Sequence, residues 1–240
     1  MNPSQELQFA FVLHTRPWRE TSLIVEFFTK NHGKIALCAR GVRSKKSPKR
    51  SILQPLTPLV ICWKGRGELP TLTKIEATEK FIKLSGDAFY SSFYLNELLV
   101  RLLHRHDPHP ELFSHYKLAL EQLILAERLE VTLREFELAL LQSIGYGLTL
   151  DRDHNDDLID EGQNYLLHID GLLQPVVDNN QDQVVGSRVF SGGQLISIAE
   201  RDWHDRKVLQ DAKRLLRLSL KALLGDKPLE SKKLFRRKTS

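Results

Sequence analysis

The sequence predicts an α+β protein. An amino-terminal five-stranded OB-fold β-barrel over residues 1–80 is followed by a mainly α-helical domain over residues 81–240, with a small β-hairpin insertion. Three observations carry this expectation. Residues 8–78 break into five short apolar runs separated by turn residues, with no helical run between them. From Ala88 onward, leucine and phenylalanine recur at three- and four-residue steps. Between the third and fourth strand runs lies Arg40 to Arg50 (RGVRSKKSPKR), six cations with no acid, where an OB barrel has a connection rather than core.

The first run, Gln8 to Thr15, alternates Phe9, Phe11 and Leu13 with Ala10, Val12 and His14, and is expected to end at Arg16-Pro17-Trp18. Ser22 to Thr29 and Lys34 to Arg40 read as a hairpin closed by Asn31-His32-Gly33, because Asn and Gly tolerate positive φ. Leu56 to Trp63 and Leu69 to Thr78 supply the last two strands, with Gly65 and Gly67 marking their turn. Trp18 and Trp63 at strand ends, and whichever of Phe27 and Phe28 faces outward, are the rings available to stack on bases. Ordinary barrel packing is the competing reading for each. Cys38 and Cys62 fall inside strands and read as core thiols; two cysteines build neither a disulfide framework nor a four-thiolate zinc site.

Helices are expected from about Ala88 to Leu103, from Pro110 to Arg128, and from Val131-Thr132 to Gly145, the first stopped by Asp107-Pro108. His104, His106 and His109 cluster between the first two, where a solvated or capping role outweighs zinc binding. An insertion at about 151–178 follows. It opens with Asp151 to Glu161 (DRDHNDDLIDE), which holds six carboxylates and resembles a calcium loop only at its start: the glycine position is Asp156 and the bidentate position is Gly162. Tyr165 to Ile169 and Leu172 to Val177, split by Asp170-Gly171, read as a hairpin. Asp205 to Leu224 is amphipathic, with Leu209, Ala212, Leu216, Leu220 and Leu223 on one side and Lys207, Arg214, Arg217 and Lys221 forming a cationic ridge on another. Lys232, Lys233, Arg236, Arg237 and Lys238 follow as a basic tail, read as a flexible arm.

Charge is unevenly distributed. Residues 1–80 hold 14 Lys/Arg against 6 Asp/Glu, residues 81–200 hold 8 against 19, and residues 201–240 hold 13 against 5. Two basic ends flanking an acidic middle suggest one polyanion footprint built from both termini, or two contact surfaces. A solvated loop and a nucleic-acid contact both fit the Arg40–Arg50 run. No stretch approaches eighteen apolar residues and the start lacks the order of a secretory signal, so a cytoplasmic protein with no membrane partner is expected. GxxxxGK[ST], GxSxG and HExxH are all missing, so nucleotide hydrolysis, acyl transfer and zinc proteolysis have no recognisable site and no cofactor is implied. A binding protein remains, beside two rival readings: an RNA-binding OB-fold protein of the translation apparatus, and a metal-dependent nuclease using the Asp151–Glu161 carboxylates.

The string HTRPWRETSLIVEFFT (His14 to Thr29), with ARGVRSKKS (Ala39 to Ser47), LQPLTPL (Leu53 to Leu59) and GRGELPTLTKIE (Gly65 to Glu76), resembles the bacterial recombination mediator RecO family. YLNELLVRLL (Tyr94 to Leu103), FELALLQSIGYGLTL (Phe136 to Leu150) and KPLESKKLFR (Lys227 to Arg236) extend the likeness over nearly the whole chain. The resemblance implies an OB domain followed by a helical domain. It implies binding of single- and double-stranded DNA, annealing of complementary strands, and help to RecA, with RecR, in displacing single-stranded-DNA-binding protein (SSB) at the nucleoid. It also implies a four-cysteine zinc module after the GYG helix end, where this chain has the acidic Asp151–Glu161 segment instead.

The expected DNA contacts are Arg40, Arg43, Lys45, Lys46, Lys49 and Arg50, with Trp18, Trp63 and Arg66 on the barrel and Lys207, Arg214, Arg217 and Lys221 on the late helix. Because the family docks the acidic, aromatic-ended SSB tail, Arg134 is the expected clamp for its carboxylate, with Phe136 and Leu140 as apolar wall. Pairing of Arg134 with Glu130 or Glu137 on its own helix is the alternative.

Overall fold

A computed structural model describes residues 6–44, 47, 49–78, 84–176 and 188–236. Five strands, β1 (Gln8–Trp18), β2 (Ser22–Thr29), β3 (Gly33–Ala39), β4 (Pro58–Lys64) and β5 (Thr71–Ala77), close into a barrel in the order β1-β2-β3-β5-β4. The β3–β5 pairing is parallel and the others are antiparallel, so the expected OB-type barrel is present. Alternation fills its interior with Ala10, Val12, Val25, Phe27, Ile35, Leu37, Leu59, Ile61 and Trp63. The basic connection is fastened at both ends, because Val42 and Leu53 also insert into this core. Between them runs a short helix, α1 (Lys49–Ile52), which the sequence reading did not anticipate.

β1 is longer than expected. Arg16, Pro17 and Trp18 stay in the ladder opposite Ile24, Leu23 and Ser22, past an irregularity between Val12 and His14. That bulge turns the Leu13 carbonyl toward α2 (Gly86–Leu102), where the Asn96 amide donates to it at 2.6 Å. Tyr116, on α3 (Pro110–Leu125), donates its hydroxyl to the Asn96 side-chain oxygen at 2.7 Å; burial pushes this phenol well above the usual tyrosine range.

The same two helices cover the outward side of β1 and β2. Phe11 and Phe28 point away from the barrel interior yet are fully buried, with ring centroids 5.3 and 5.4 Å from Phe113. Alternation therefore places one of Phe27 and Phe28 outside the barrel as expected, but a helix covers it and no base platform results. The β2–β3 turn also locks onto the helices: a Cβ at Gly33 (φ +64°) would stand 2.0 Å from the Asp107 carbonyl oxygen. Beside it Lys34 donates to the Val100 carbonyl in the last turn of α2 at 2.6 Å. Desolvation holds this ammonium below the usual lysine range, against the opposing pull of Glu26.

Packing divides the chain into two compact units, one running to Glu127 and regaining the segment from Leu229, the other spanning Arg128–Pro228. In the first, α7 (Ser231–Arg236) packs on α2. Glu97 of α2 accepts from the backbone N–H of Glu230 and Ser231 at 2.8 and 2.9 Å and from the Ser231 hydroxyl at 2.7 Å. The segment expected as a flexible arm is thus helical through Arg236, while Arg237 and Lys238 lie outside the described residues.

The second unit holds α4 (Leu129–Ser143), a three-stranded sheet β7-β6-β8 of β6 (Asn164–Leu167), β7 (Leu173–Pro175) and β8 (Val189–Ser191), and helices α5 (Gly192–Ala199) and α6 (Arg206–Leu224). The expected hairpin is β6–β7; β8 and α5 are additions to it. Val177 lies outside the described residues. α6 buries Val208, Ala212, Leu215, Leu216 and Leu220, and α4 packs against it. Among the described residues no helix is long and apolar enough to cross a membrane.

Candidate nucleic-acid interface

Ladder register brings residues of all five strands into one row. Arg16 pairs with Ile24, Ile24 with Cys38, Cys38 with Thr71, and Thr71 with Lys64. Their neighbours Ala39, Trp63 and Leu72 belong to the interior, so alternation puts this row on the outer face. One step further along lies an open cleft of about 610 Å³ lined by Trp18, Arg19, Glu20, Thr21, Ser22, Cys38, Arg40, Leu69 and Thr71. Its rim is the β1–β2 turn, and the β4–β5 turn with Gly65, Arg66 and Gly67 begins immediately after Lys64.

Trp18 stands 39% exposed at this rim. The Arg19 guanidinium carbon lies 6.0 Å from its ring centroid, at the outer limit of cation–π contact. Arg43, at the root of the basic connection, donates from Nη1 to the Arg19 carbonyl at 2.9 Å, and its backbone N–H donates to Thr21 O at 2.9 Å. A flat ring, several permanent cations and an open polar concavity are what a single strand requires: a surface for a base and charge for its phosphates.

Of the expected DNA contacts, Trp18 and Arg40 line the cleft, Arg43 buttresses it, and Arg66 is exposed on the adjoining turn. Lys49 and Arg50 sit on α1 and do not line it; Lys45 and Lys46 lie outside the described residues. Trp63 is corrected: it is 9% exposed, part of the barrel core, with His32 edge-on at 5.2 Å, and offers no free face to a base. Arg19, which the sequence reading did not single out, also lines the cleft. The available signal is Trp18-Arg19, a cation directly after an aromatic at a turn.

On α6, Lys207, Arg217 and Lys221 are exposed, but Arg214 turns onto its own unit. Its guanidinium lies 3.9 Å from the Phe190 ring centroid and donates to Val189 O at 2.9 Å, clamping β8. The expected clamp for an SSB tail is also corrected. Arg134 is buried and forms a two-pronged ion pair with buried Glu137 at 2.6 and 2.8 Å, while Phe136 and Leu140 are core residues. The guanidinium fork already grips a carboxylate three residues along its own helix.

In the acidic segment, Asp153 accepts from the backbone of Asn155 and Asp157, and Asp160 from that of Gly162. These carboxylates cap their own turns. Among the described residues no three His, Cys, Asp or Glu side chains are placed to hold a metal ion.

Comparison with known proteins agrees with this architecture. Residues 1–81 match the family described as recombination protein O N terminal, and residues 84–233 match recombination protein O C terminal. The chain is 40% identical over 236 residues to the DNA repair protein RecO of Glaesserella parasuis, covering 96% of this chain and 95% of that protein. It is 42% identical over 233 residues to the DNA repair protein RecO of Pasteurella multocida, covering 95% and 93%. Against the DNA repair protein RecO of Haemophilus influenzae it is 41% identical over 232 residues, covering 96% and 95%.

Proposed function

This chain belongs to the recombination protein O family, and on that footing we propose that it is a non-catalytic DNA-binding mediator of recombinational repair acting in the cytoplasm at the nucleoid. It binds single- and double-stranded DNA without sequence preference, anneals complementary strands, and with RecR assists RecA onto SSB-coated single strands. The observation that carries this reading is the outer-face cleft, where Trp18, Arg19 and Arg40 meet on the face and turn that OB barrels use for oligonucleotides. Lys45 and Lys46, which lie outside the described residues, are further phosphate contacts in this reading, and Lys207, Arg217 and Lys221 offer a second phosphate-binding stripe on α6. Attraction to phosphates and stacking on a ring are indifferent to sequence, which suits a protein that must accept any gap.

Oligonucleotide titration over a range of salt concentrations tests the cleft. Trp18→Ala is expected to weaken binding by about 1–3 kcal/mol with its salt slope kept. Arg40→Ala is expected to lower the slope by about 0.7–0.9. Wild-type behaviour of both variants would remove the cleft from the footprint. Annealing of SSB-coated strands with and without magnesium separates the rivals, because cutting that needs metal favours a nuclease and preference for RNA of equal sequence favours a translation role.

A further inference from the structure

We propose that Arg43 is a positioning residue, whose guanidinium holds the β1–β2 turn in the conformation that presents Trp18 and Arg19 to a nucleobase; this rests on the reading of the cleft as a nucleic-acid site. Arg43 bridges the turn twice, from Nη1 to the Arg19 carbonyl and from its backbone N–H to the Thr21 carbonyl, both at 2.9 Å. What it bridges is a conformation unfavourable to the residue there. Arg19 has φ +50°, a left-handed backbone that a side chain with a Cβ disfavours. A charged donor on that residue's carbonyl is a strong restraint, since such hydrogen bonds are shorter and stronger than neutral ones.

The turn sets where two recognition groups point. Trp18 is the last residue of β1 and Arg19 the first of the turn, and both line the cleft with Arg40. Stacking depends on ring orientation, so a turn free to relax would leave the charge of the cleft intact and lose the fixed platform. Arg43 itself does not line the cleft. With one arm of its fork committed to a backbone carbonyl, its contribution is geometric. Lysine at this position keeps the charge and loses the planar fork, which separates geometry from charge.

The test uses the full chain labelled with 5-fluorotryptophan, with the Trp18 resonance assigned by its loss in Trp18→Phe, and an oligo-dT strand titrated against salt. Arg43→Lys is expected to bind about tenfold more weakly, the weight of one charge-assisted hydrogen bond, with an unchanged salt slope. The Trp18 resonance of the free variant is expected to move while those of Trp63 and Trp203 stay in place, which also reports an intact fold. If Arg43→Lys binds as the parent does while Arg43→Ala lowers the salt slope by about one, Arg43 is a phosphate contact and the proposal is overturned. A stationary Trp18 resonance in Arg43→Lys overturns it as well. Parent-like dT binding by Trp18→Ala instead overturns the cleft as a site, and the role of Arg43 with it.

Discussion

Arg134 shows how one residue type carries opposite meanings at opposite burial. As one of eight cations in the net-negative middle of the chain it reads as a grip for a partner's carboxylate, yet it is buried against Glu137. Arg134→Ala is expected to lower unfolding stability by about 3–5 kcal/mol in urea titration, because the Glu137 charge would be left buried without its partner. Replacing both residues with apolar side chains of similar volume is expected to cost much less than the single change. The tryptophans make the same point. Trp18 and Trp63 both end strands in the sequence, but parity after the β1 bulge turns Trp18 outward, while Trp63 keeps the inward parity of Leu59 and Ile61 and joins the core. Bulges shift facing by one residue and leave no compositional mark, so the outer row Arg16, Cys38, Thr71 and Lys64 could not be read in advance.

Elements were legible where hydrophobic period and turn chemistry agreed. All five barrel strands, the three helices from Gly86 to Ser143 and the long α6 follow that rule. The misses have local causes. α1 spans only Lys49–Ile52 inside a cationic run, and α5 begins with two glycines, although the reciprocal cap between Ser191 and Gln194 was a readable start signal. The bulge in β1 also explains the polar join between strand and helices, since it leaves the Leu13 carbonyl to be satisfied by Asn96, itself oriented by Tyr116. Asn96→Ala takes the amide donor from the Leu13 carbonyl and the Asn96 acceptor from the Tyr116 hydroxyl. We expect it to cost about 2–4 kcal/mol in urea titration, and Tyr116→Phe to cost less, because the amide would still reach Leu13.

For the whole molecule, the uneven charge pattern reads as one footprint from both basic ends or as two contact surfaces, and the closing of the chain on itself was hidden. Lys232 to Lys238 reads as a flexible basic arm because the anchor of its helix, Glu97, lies 134 residues away from Ser231. A side chain–backbone cap of that separation has no local signature. Deleting residues 229–240 is expected to raise amide exchange along α2 while leaving the sheet β7-β6-β8 protected, with Glu97→Ala reproducing part of the effect. Hydrogen-exchange mass spectrometry reads both, and unaltered α2 protection would show that the cap contributes nothing.

That cap has a temporal side. A ribosome makes the barrel first, but the helix that Glu97 holds begins 134 residues after its anchor. At about 5–20 residues per second, roughly seven to twenty-seven seconds of synthesis separate Glu97 from Ser231. Throughout that interval the nascent barrel and α2 wait without the segment that packs on α2, so a chain released before Ser231 carries the cleft residues and lacks the partner of Glu97.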